Sequence, residues 1–296
     1  MMWPLDYVHP TELLANHTSF RIGGPAEWYA QPQTVEELLR LLREADRQGI
    51  PVSVVGGGTN LLVADRGVRG LVISLRRGKP FRTIEVLSPE DSPRAHIRCG
   101  SAIYTQQLVT LGGCHGWGGV DTLAGVPGQV GGAIVMNAQN IGQFVERVRF
   151  ISFTGELREL TRDQLVFAYR YTRLEPGIIV DAVLGFEKAG PEVVSANIQQ
   201  LLKYRNTTQE VSLPSAGCAF RNPPGFSAGR LIDEAGLKGS RIGDARVSMR
   251  HANFIVNLGQ ATCDDVLSLM EYVQRRVMRS VGVRLEPEVR LLGERW

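Results

Sequence analysis

The sequence VVGGGTNLLV, residues 54–63, passes from a predicted buried strand through three consecutive glycines to two polar residues and a second apolar run. The backbone N–H groups of such a turn can point together at an oxygen-rich group such as a phosphate. The segment is not a Rossmann fingerprint, because no helix follows the glycines, and it lacks the Gly-Lys-Ser/Thr ending of a P-loop. Taken alone, it is equally compatible with an ordinary tight turn.

A second glycine segment, LAGVPGQVGGAIVMN, spans residues 123–137. It overlaps the stretch from Gly112 to Gly132, which holds nine glycines in 21 residues. We predict a long ordered loop without regular secondary structure there, since such loops are usually functional. A backbone with so few side chains can lie against a diphosphate and a flat ring. A purely structural crossover loop is the alternative, and the presence of both segments in one chain weakens it.

Composition narrows the class of protein. The chain has 296 residues, 43% apolar and 21% charged, with a net charge of +3, which suggests a globular protein of about two units. It has no basic block of the kind that binds nucleic acid, and no signal peptide or membrane-spanning run is apparent. The four cysteines form no CxxC pair, so we expect reduced thiols in the cytoplasm and neither disulfides nor a metal site.

Periodicity predicts an α+β protein. Thr34 and Glu37 form a capping box at the start of one helix, and apolar residues spaced by three and four mark a second between Thr262 and Val281. Further helices are predicted at 104–111, 191–205 and 230–235. Strands are predicted at 51–55, 61–63, 70–75, 95–99, 148–153, 178–186, 251–256 and 284–292.

Residues 54–63 and 125–137 resemble the FAD-binding elements of the vanillyl-alcohol-oxidase-type flavoprotein fold. More narrowly, the chain resembles the UDP-N-acetylenolpyruvoylglucosamine reductase (MurB) family. The resemblance extends over about residues 16–293 and rests on further motifs in order: TSFRIGGPA (18–26), PSAGCAFRNP (214–223), AGLKG (235–239) with HANFIVN (251–257), and LEPEVR (285–290). The short stretch between Phe186 and Pro214 indicates the shorter of the two subtypes of this family.

The resemblance implies a FAD-binding domain at 16–188, with subdomains at about 16–78 and 79–188. A smaller α/β substrate-binding domain at 190–283 follows, and a last strand at 284–296 returns to an active site in the cleft between domains. It implies non-covalent FAD, and NADPH as the reductant. The residues expected to bind FAD are Val55, Gly56, Gly57, Gly58, Thr59, Asn60, Leu61, Gly125, Pro127, Gly128, Val130, Gly131, Gly132 and Ala133.

The family reaction reduces the enolpyruvyl ether of UDP-N-acetylglucosamine enolpyruvate to the lactyl ether of UDP-N-acetylmuramate, in peptidoglycan precursor synthesis. Cys218 stands where the family usually has a serine proton donor, and a thiol is the stronger acid. Glu288 matches the catalytic glutamate, although Glu286, two residues away, is expected on the same strand face. Arg170 matches an arginine that can pair with the substrate carboxylate through its planar fork.

Weaker candidates surround the substrate. The resemblance makes Asn222 a substrate contact, and Tyr204, Arg205, Arg241 and His251 are candidates for the UDP-sugar or NADPH phosphates. His251 also has a structural interpretation, because no metal-binding cluster surrounds it in the sequence.

Two other functions remain open at this stage. The chain can be a different FAD-dependent oxidoreductase on the same fold, with a flavin tethered through Cys114 or His115. It can also be a non-catalytic nucleotide-sugar-binding or flavin-binding relative, for which the replacement of the usual serine by Cys218 is the one supporting feature.

Overall fold

The computed structural model describes Leu5 and residues Tyr7–Glu294. Contacts within the chain divide it into two compact units. Unit 1 comprises the chain up to His9 together with Trp28–Gly57 and Gly70–Arg205. Unit 2 comprises Pro10–Glu27, Gly58–Arg69 and the chain from Asn206 onward. Both units are therefore discontinuous in sequence.

Six α-helices and seventeen strands are found in the described residues. The helices are α1 Val35–Arg47, α2 Thr105–His115, α3 Val130–Val135, α4 Pro191–Thr208, α5 Ala228–Glu234 and α6 Cys263–Val281. The strands are β1 Val8–Leu13, β2 Pro25–Ala30, β3 Val52–Val54, β4 Leu61–Val63, β5 Val68–Ile73, β6 Ile84–Val86, β7 Arg94–Gly100, β8 Val145–Ser152, β9 Leu157–Thr161, β10 Val166–Ala168, β11 Tyr171–Arg173, β12 Gly177–Glu187, β13 Ser215–Cys218, β14 Arg241–Ile242, β15 Ala245–Val247, β16 Phe254–Asn257 and β17 Arg290–Leu292. This mixture confirms the predicted α+β class.

A five-stranded antiparallel sheet, in the order β6-β7-β12-β8-β9, forms the centre of unit 1. The apolar residues of β7 and β8 that alternate with polar ones pack against α2 and α3 in one buried cluster. A second cluster includes the apolar face of α1, with Leu38, Leu41, Leu42 and Ala45 fully buried. The Thr34 side chain accepts a hydrogen bond from the Glu37 N–H at 3.1 Å and begins α1 as predicted.

Unit 2 is built on the antiparallel sheet β13-β16-β15-β14. The predicted apolar face of α6 packs into its core through Val266, Leu269, Met270, Val273 and Val277. Thr262 caps the start of this helix, and Gly282, with φ of 69°, ends it in the left-handed conformation. The Asp65 carboxylate also accepts hydrogen bonds from the first N–H groups of α6, at Cys263 and Asp264. Both ends of α6 are thus fixed by side-chain or glycine caps.

The predicted loop over residues 112–132 is partly wrong, because helices occupy both of its ends. Helix α2 continues to His115 and α3 begins at Val130. A Cβ on Gly112 would lie 2.7 Å from Val120, and one on Gly113 would lie 2.9 Å from Ile198. These two glycines therefore allow close packing of a helix, and they do not mark irregular structure.

The compact units do not follow the predicted boundaries at residues 16, 78, 188 and 283. Strand β4 pairs in parallel with β17, which joins residues 58–69 to the C-terminal part of the chain. The Ser19 hydroxyl donates to the Ser215 carbonyl at 2.7 Å, and the Asn257 amide donates to the Phe20 carbonyl at 3.1 Å. Long-range pairing of this kind has no local signal in the sequence.

Candidate active site

A glycine cradle lies in unit 1, where the first two glycines of the first segment meet the second segment. It consists of Gly56 and Gly57 on one side and Gly128 with Gln129 on the other. A Cβ on Gly57 would lie 2.7 Å from the Gly128 Cα, and a Cβ on Gly56 would lie 3.1 Å from Gln129 Oε1. The two glycine segments can approach this closely only because these positions carry no side chain.

Hydrogen bonds from the surrounding elements fix the cradle. Arg76 donates through Nε to the Gly56 carbonyl at 3.1 Å. Thr105, at the start of α2, donates its backbone N–H to the Gly128 carbonyl at 3.0 Å, and its hydroxyl donates to the Val126 carbonyl. The cradle is therefore a preformed backbone surface.

The remaining glycines of the second segment differ in their surroundings. Gly125 has φ of 71°, and a Cβ there would lie 2.8 Å from Arg205 Cδ. A Cβ on Gly131 would lie 2.8 Å from the Ser101 Cβ, whereas one on Gly132 would have nothing within 4 Å. Gly132 thus borders open space, while its neighbours are packed.

These residues fit a ligand with a diphosphate and a flat ring. Gly56 and Gly57 pack against the second glycine segment and are half-buried, so they present backbone and no side chain to a ligand. The side chain of Gln129 is 4% exposed, and its amide nitrogen is buried without a hydrogen-bond partner in the described part of the chain. A buried polar group beside a bare backbone is the arrangement expected where a polar ligand binds.

The first glycine segment changes units between Gly57 and Gly58. In unit 2, Gly58 has φ of 66°, and a Cβ there would lie 2.0 Å from the His17 carbonyl oxygen. Asn60 donates through Nδ2 to the Glu288 carbonyl at 3.2 Å. The strand that follows, β4, pairs Leu61 with Arg290 of β17. The end of this segment is therefore joined to the chain that carries Glu288.

Cys218 and Glu288 lie on paired segments of unit 2. The Glu288 N–H donates to the carbonyl of Ala219, the residue after Cys218, at 2.8 Å. The Arg221 N–H donates to the Glu286 carbonyl at 2.8 Å, and Phe220 and Pro287 form an antiparallel bridge. This short ladder places side by side the segments that carry two residues 70 positions apart in the sequence.

Asn253 holds the Cys218 side of the ladder in place. It is 2% exposed; its Oδ1 accepts from the Phe220 N–H at 3.0 Å, and its Nδ2 donates to the Phe220 carbonyl at 2.8 Å. A buried amide with both ends satisfied fixes one backbone geometry. Asn253 was not among the predicted site residues, although it lies inside the HANFIVN motif.

The structure distinguishes the two glutamates that periodicity leaves equivalent. Regular strand structure begins only at Arg290, so the predicted strand over 284–292 is too long. Glu286 is exposed, whereas Glu288 is half-buried. The half-buried position beside the Cys218 segment favours Glu288 for chemistry.

Arg170 belongs to unit 1, in the two-residue turn between β10 and β11. Its φ of 56° is unusual for a residue with a side chain and implies local strain. The buried Asn137 donates through Nδ2 to the Ala168 carbonyl at 2.9 Å, and the Thr172 hydroxyl donates to the Ile134 carbonyl. These contacts anchor the turn to α3 and its neighbourhood.

The predicted substrate residues are spread over both units. The Asn222 side chain accepts the Ala228 N–H, the first of α5, at 3.0 Å, while Ser227 caps that helix, and Arg241 pairs with Asp244 at 2.5 Å. Tyr204 is 64% exposed, and Arg205 lies against Gly125 in unit 1. Burial lowers the pKa of His251 below its ordinary value, and the Lys238 charge adds to this shift.

The described residues show neither a metal-binding cluster nor a membrane-spanning helix. They contain no group of three or more side chains that could hold a metal ion. No helix formed by residues within the described ranges is long and apolar enough to cross a membrane.

Two family models match this chain. Residues 26–161 match a FAD binding domain, and residues 209–292 match the C-terminal domain of UDP-N-acetylenolpyruvoylglucosamine reductase. These two ranges contain, respectively, the glycine cradle and Cys218 with Glu288.

Similar proteins cover nearly the whole chain. UDP-N-acetylenolpyruvoylglucosamine reductase 2 of Symbiobacterium thermophilum is 42% identical over 292 residues, which are 97% of this chain and 92% of that protein. The reductase of Geobacter metallireducens is 42% identical over 96% of this chain and 93% of its own length. The crystal structure of the reductase from Thermus caldophilus has a TM-score of 0.80 and 36% identity, covering 96% of this chain and 98% of that one. The chain therefore belongs to the UDP-N-acetylenolpyruvoylglucosamine reductase (MurB) family.

Proposed function

We propose that this protein reduces UDP-N-acetylglucosamine enolpyruvate to UDP-N-acetylmuramate with NADPH and bound FAD, in peptidoglycan precursor synthesis. The observation that carries the proposal is the ladder in unit 2 that pairs the Cys218 segment with Glu288. A proton donor and a second acidic group on one rigid backbone suit a reaction that must protonate a carbon centre.

The glycine cradle and the residues Gly58–Leu61 are proposed to hold FAD. When bound, FAD supplies the hydride chemistry, and the protein supplies binding, orientation and electrostatics. The bare backbone of Gly56 and Gly57 allows a large planar or phosphate-bearing group to approach closely.

Cys218 is proposed to hold the proton that C2 of the enolpyruvyl group receives. Addition of hydride at C3 leaves negative charge on C2 and the adjacent carboxylate, so C2 must gain a proton. The Sγ–H bond breaks as the C2–H bond forms, and solvent then returns a proton to the thiolate. Because a thiol is a stronger acid than a hydroxyl, cysteine suits this step where the family usually has serine.

Arg170 and Glu288 are proposed to act on the charge that develops beside C2. The guanidinium of Arg170 can pair with the substrate carboxylate in a bidentate manner. Glu288 is proposed to donate a hydrogen bond to the same developing charge, which a prepositioned donor stabilises strongly. The strained, anchored turn that carries Arg170 is consistent with a prepositioned group.

The remaining expectations follow from this activity. Asn222, Tyr204, Arg205, Arg241 and His251 are proposed to contact the sugar nucleotide or the NADPH phosphates. Since both substrates are cytoplasmic metabolites, we propose that the protein acts in the cytoplasm. Only α4 lies between β12 and β13 in the described chain, which supports the shorter subtype.

An anaerobic reduction experiment tests the proposal. NADPH is added to the FAD-loaded protein, followed by UDP-N-acetylglucosamine enolpyruvate, while flavin absorbance and product are measured. We expect bleaching with NADPH and reoxidation only with the enolpyruvyl substrate. Cys218→Ala is expected to lower product formation by about 10²–10⁴-fold, as loss of a general acid does, and Cys218→Ser to restore much of it.

Three results would contradict the proposal. Reduced protein that ignores the enolpyruvyl substrate but reacts with oxygen would indicate another oxidoreductase. Protein that binds the sugar nucleotide without turnover would indicate a binding relative. Full activity of Cys218→Ala would remove Cys218 from the reaction and leave the rest intact.

A further inference from the structure

Gln129 stands out among the residues that the sequence did not single out. It lies between Gly128 and Val130, both predicted to bind FAD, and it is the residue before α3. Its side chain is 4% exposed, and the amide nitrogen has no hydrogen-bond partner in the part of the chain that the structure describes. An unsatisfied buried amide destabilises a folded protein, so such a group in a native structure requires an explanation.

The position of the Gln129 side chain explains why its amide has no partner within the protein. Its Oε1 atom lies 3.1 Å from the point that a Cβ on Gly56 would occupy, so the amide borders the glycine cradle directly. Because the oxygen and nitrogen of an amide exchange places by rotation about the last side-chain bond, either can face the cradle. The side chain can thus turn either a donor or an acceptor toward a ligand held there.

Two of the backbone donors at the start of α3 are already used inside the protein. The Val130 N–H donates to the Ile103 carbonyl at 2.8 Å, and the Gly131 N–H donates to the Ser101 carbonyl at 2.9 Å. These are the N–H groups that a helix start would otherwise offer to a ligand. With both used inside the protein, the Gln129 side chain adds a donor that these two groups cannot supply.

We infer that the Gln129 amide is a ligand of the FAD cofactor and donates a hydrogen bond to one of its oxygens, on a phosphate or on the flavin ring. The inference rests on the FAD-binding part of the proposed function and is independent of the enolpyruvyl substrate. Gln129 then stabilises the FAD-bound protein and destabilises the protein without FAD, where its amide has no partner.

This opposite effect on the two states provides the test. Gln129→Leu is compared with wild type by thermal unfolding with and without FAD, and by titration of the apoprotein with FAD. We expect the FAD dissociation constant to rise about tenfold, the loss typical of one hydrogen bond to a ligand. We expect the unfolding temperature of the apoprotein to stay the same or to rise, because leucine replaces an unpaired polar group.

Gln107→Leu is the matched control. Gln107 is exposed, and its Oε1 accepts the Tyr104 N–H at 3.1 Å at the start of α2. Loss of this cap should lower the unfolding temperature of the apoprotein and leave the FAD dissociation constant unchanged. A merely structural role for Gln129 would give this same pattern, and that result would overturn the inference, as would a wild-type dissociation constant in Gln129→Leu.

Further measurements distinguish the two kinds of FAD oxygen. A contact with a ring oxygen should shift the flavin absorption maximum and reduction potential in Gln129→Leu, whereas a phosphate contact should leave both unchanged.

Should the leucine variant fail to fold, Gln129→Glu preserves the shape and is expected to weaken FAD binding; unchanged binding would overturn the inference. Every readout uses FAD alone, so failure of the reductase activity would not affect it.

Discussion

The glycine cradle of unit 1 and the Cys218–Glu288 ladder of unit 2 are built in opposite ways. In the cradle the surface is backbone except at Gln129, and side chains added at Gly56 or Gly57 would collide with the second glycine segment. In the ladder the backbone is a scaffold of ordinary hydrogen bonds, and the chemistry resides in the side chains. The contrast teaches that the cradle tolerates only small residues at its glycine positions. The ladder instead requires side chains of a given chemical type, and cysteine can stand there in place of serine.

The sharpest test of this contrast compares the activity of the Glu288→Gln variant with that of the Glu286→Gln variant. The change at Glu288 keeps the size of the side chain but replaces an acidic hydrogen-bond donor by a weaker amide donor, so we expect product formation to fall by about 10²–10³-fold. The exposed Glu286 should tolerate the same change with nearly full activity. Steady-state kinetics with a measurement of FAD content checks both variants; similar losses in the two would show that the ladder does not discriminate between them.

The cradle is tested by Gly57→Ala, with Gly132→Ala as the control. A Cβ on Gly57 would lie 2.7 Å from the Gly128 Cα, so we expect the two segments to separate, at a cost of about 1–3 kcal/mol, and FAD binding to weaken. Gly132 has nothing within 4 Å of its added Cβ, and alanine favours helix, so its apoprotein should unfold no earlier than wild type. Urea unfolding and FAD titration measure these effects. Wild-type FAD binding by Gly57→Ala would contradict the steric account.

A smaller effect is expected at the cap that Asp65 provides to α6. Removal of its carboxylate in Asp65→Ala leaves the Cys263 and Asp264 N–H groups without this acceptor, at a cost of about 1 kcal/mol. Asp91, an exposed carboxylate between β6 and β7, provides the control Asp91→Ala, for which no change in stability is expected. Chemical unfolding distinguishes the two, and equal midpoints would contradict the capping role.

The smallest expected effect concerns His251 and pH. Since burial lowers its pKa in the folded protein, the unfolded chain binds a proton more readily. Stability should therefore decrease as pH falls through the ordinary histidine value near 6.5 toward the lowered folded-state value, and should be retained above it. His251→Gln should reduce this slope in unfolding curves measured between pH 5 and 8. If the slope of stability against pH stayed unchanged in His251→Gln, the pH dependence would come from other titratable groups.

Local signals predicted the longer helices and strands but missed helix α3 and many of the short strands, such as β10, β11 and β13. The caps and apolar faces of α1 and α6 and the short strand β4 are all evident in the sequence, because each depends on neighbours within a few positions. The prediction of a loop over Gly112–Gly132 was partly wrong for a related reason. Gly112 and Gly113 lie in helix α2, and the need for glycine there comes from close contacts with Val120 and Ile198, which no local pattern shows. The predicted domain boundaries differ from those of the compact units, which depend on long-range pairing such as that of β4 with β17.

The sequence by itself determined the family, the α+β class and the identity of the candidate residues, because motifs and periodicity are local properties of the chain. Only the tertiary structure decided which of these residues meet. It separated Glu288 from Glu286, anchored the Arg170 turn through Asn137 and revealed Gln129 beside Gly56. The physical reason is that burial and hydrogen-bond partners are properties of segments brought together from distant parts of the chain, and they exist only once the chain has folded.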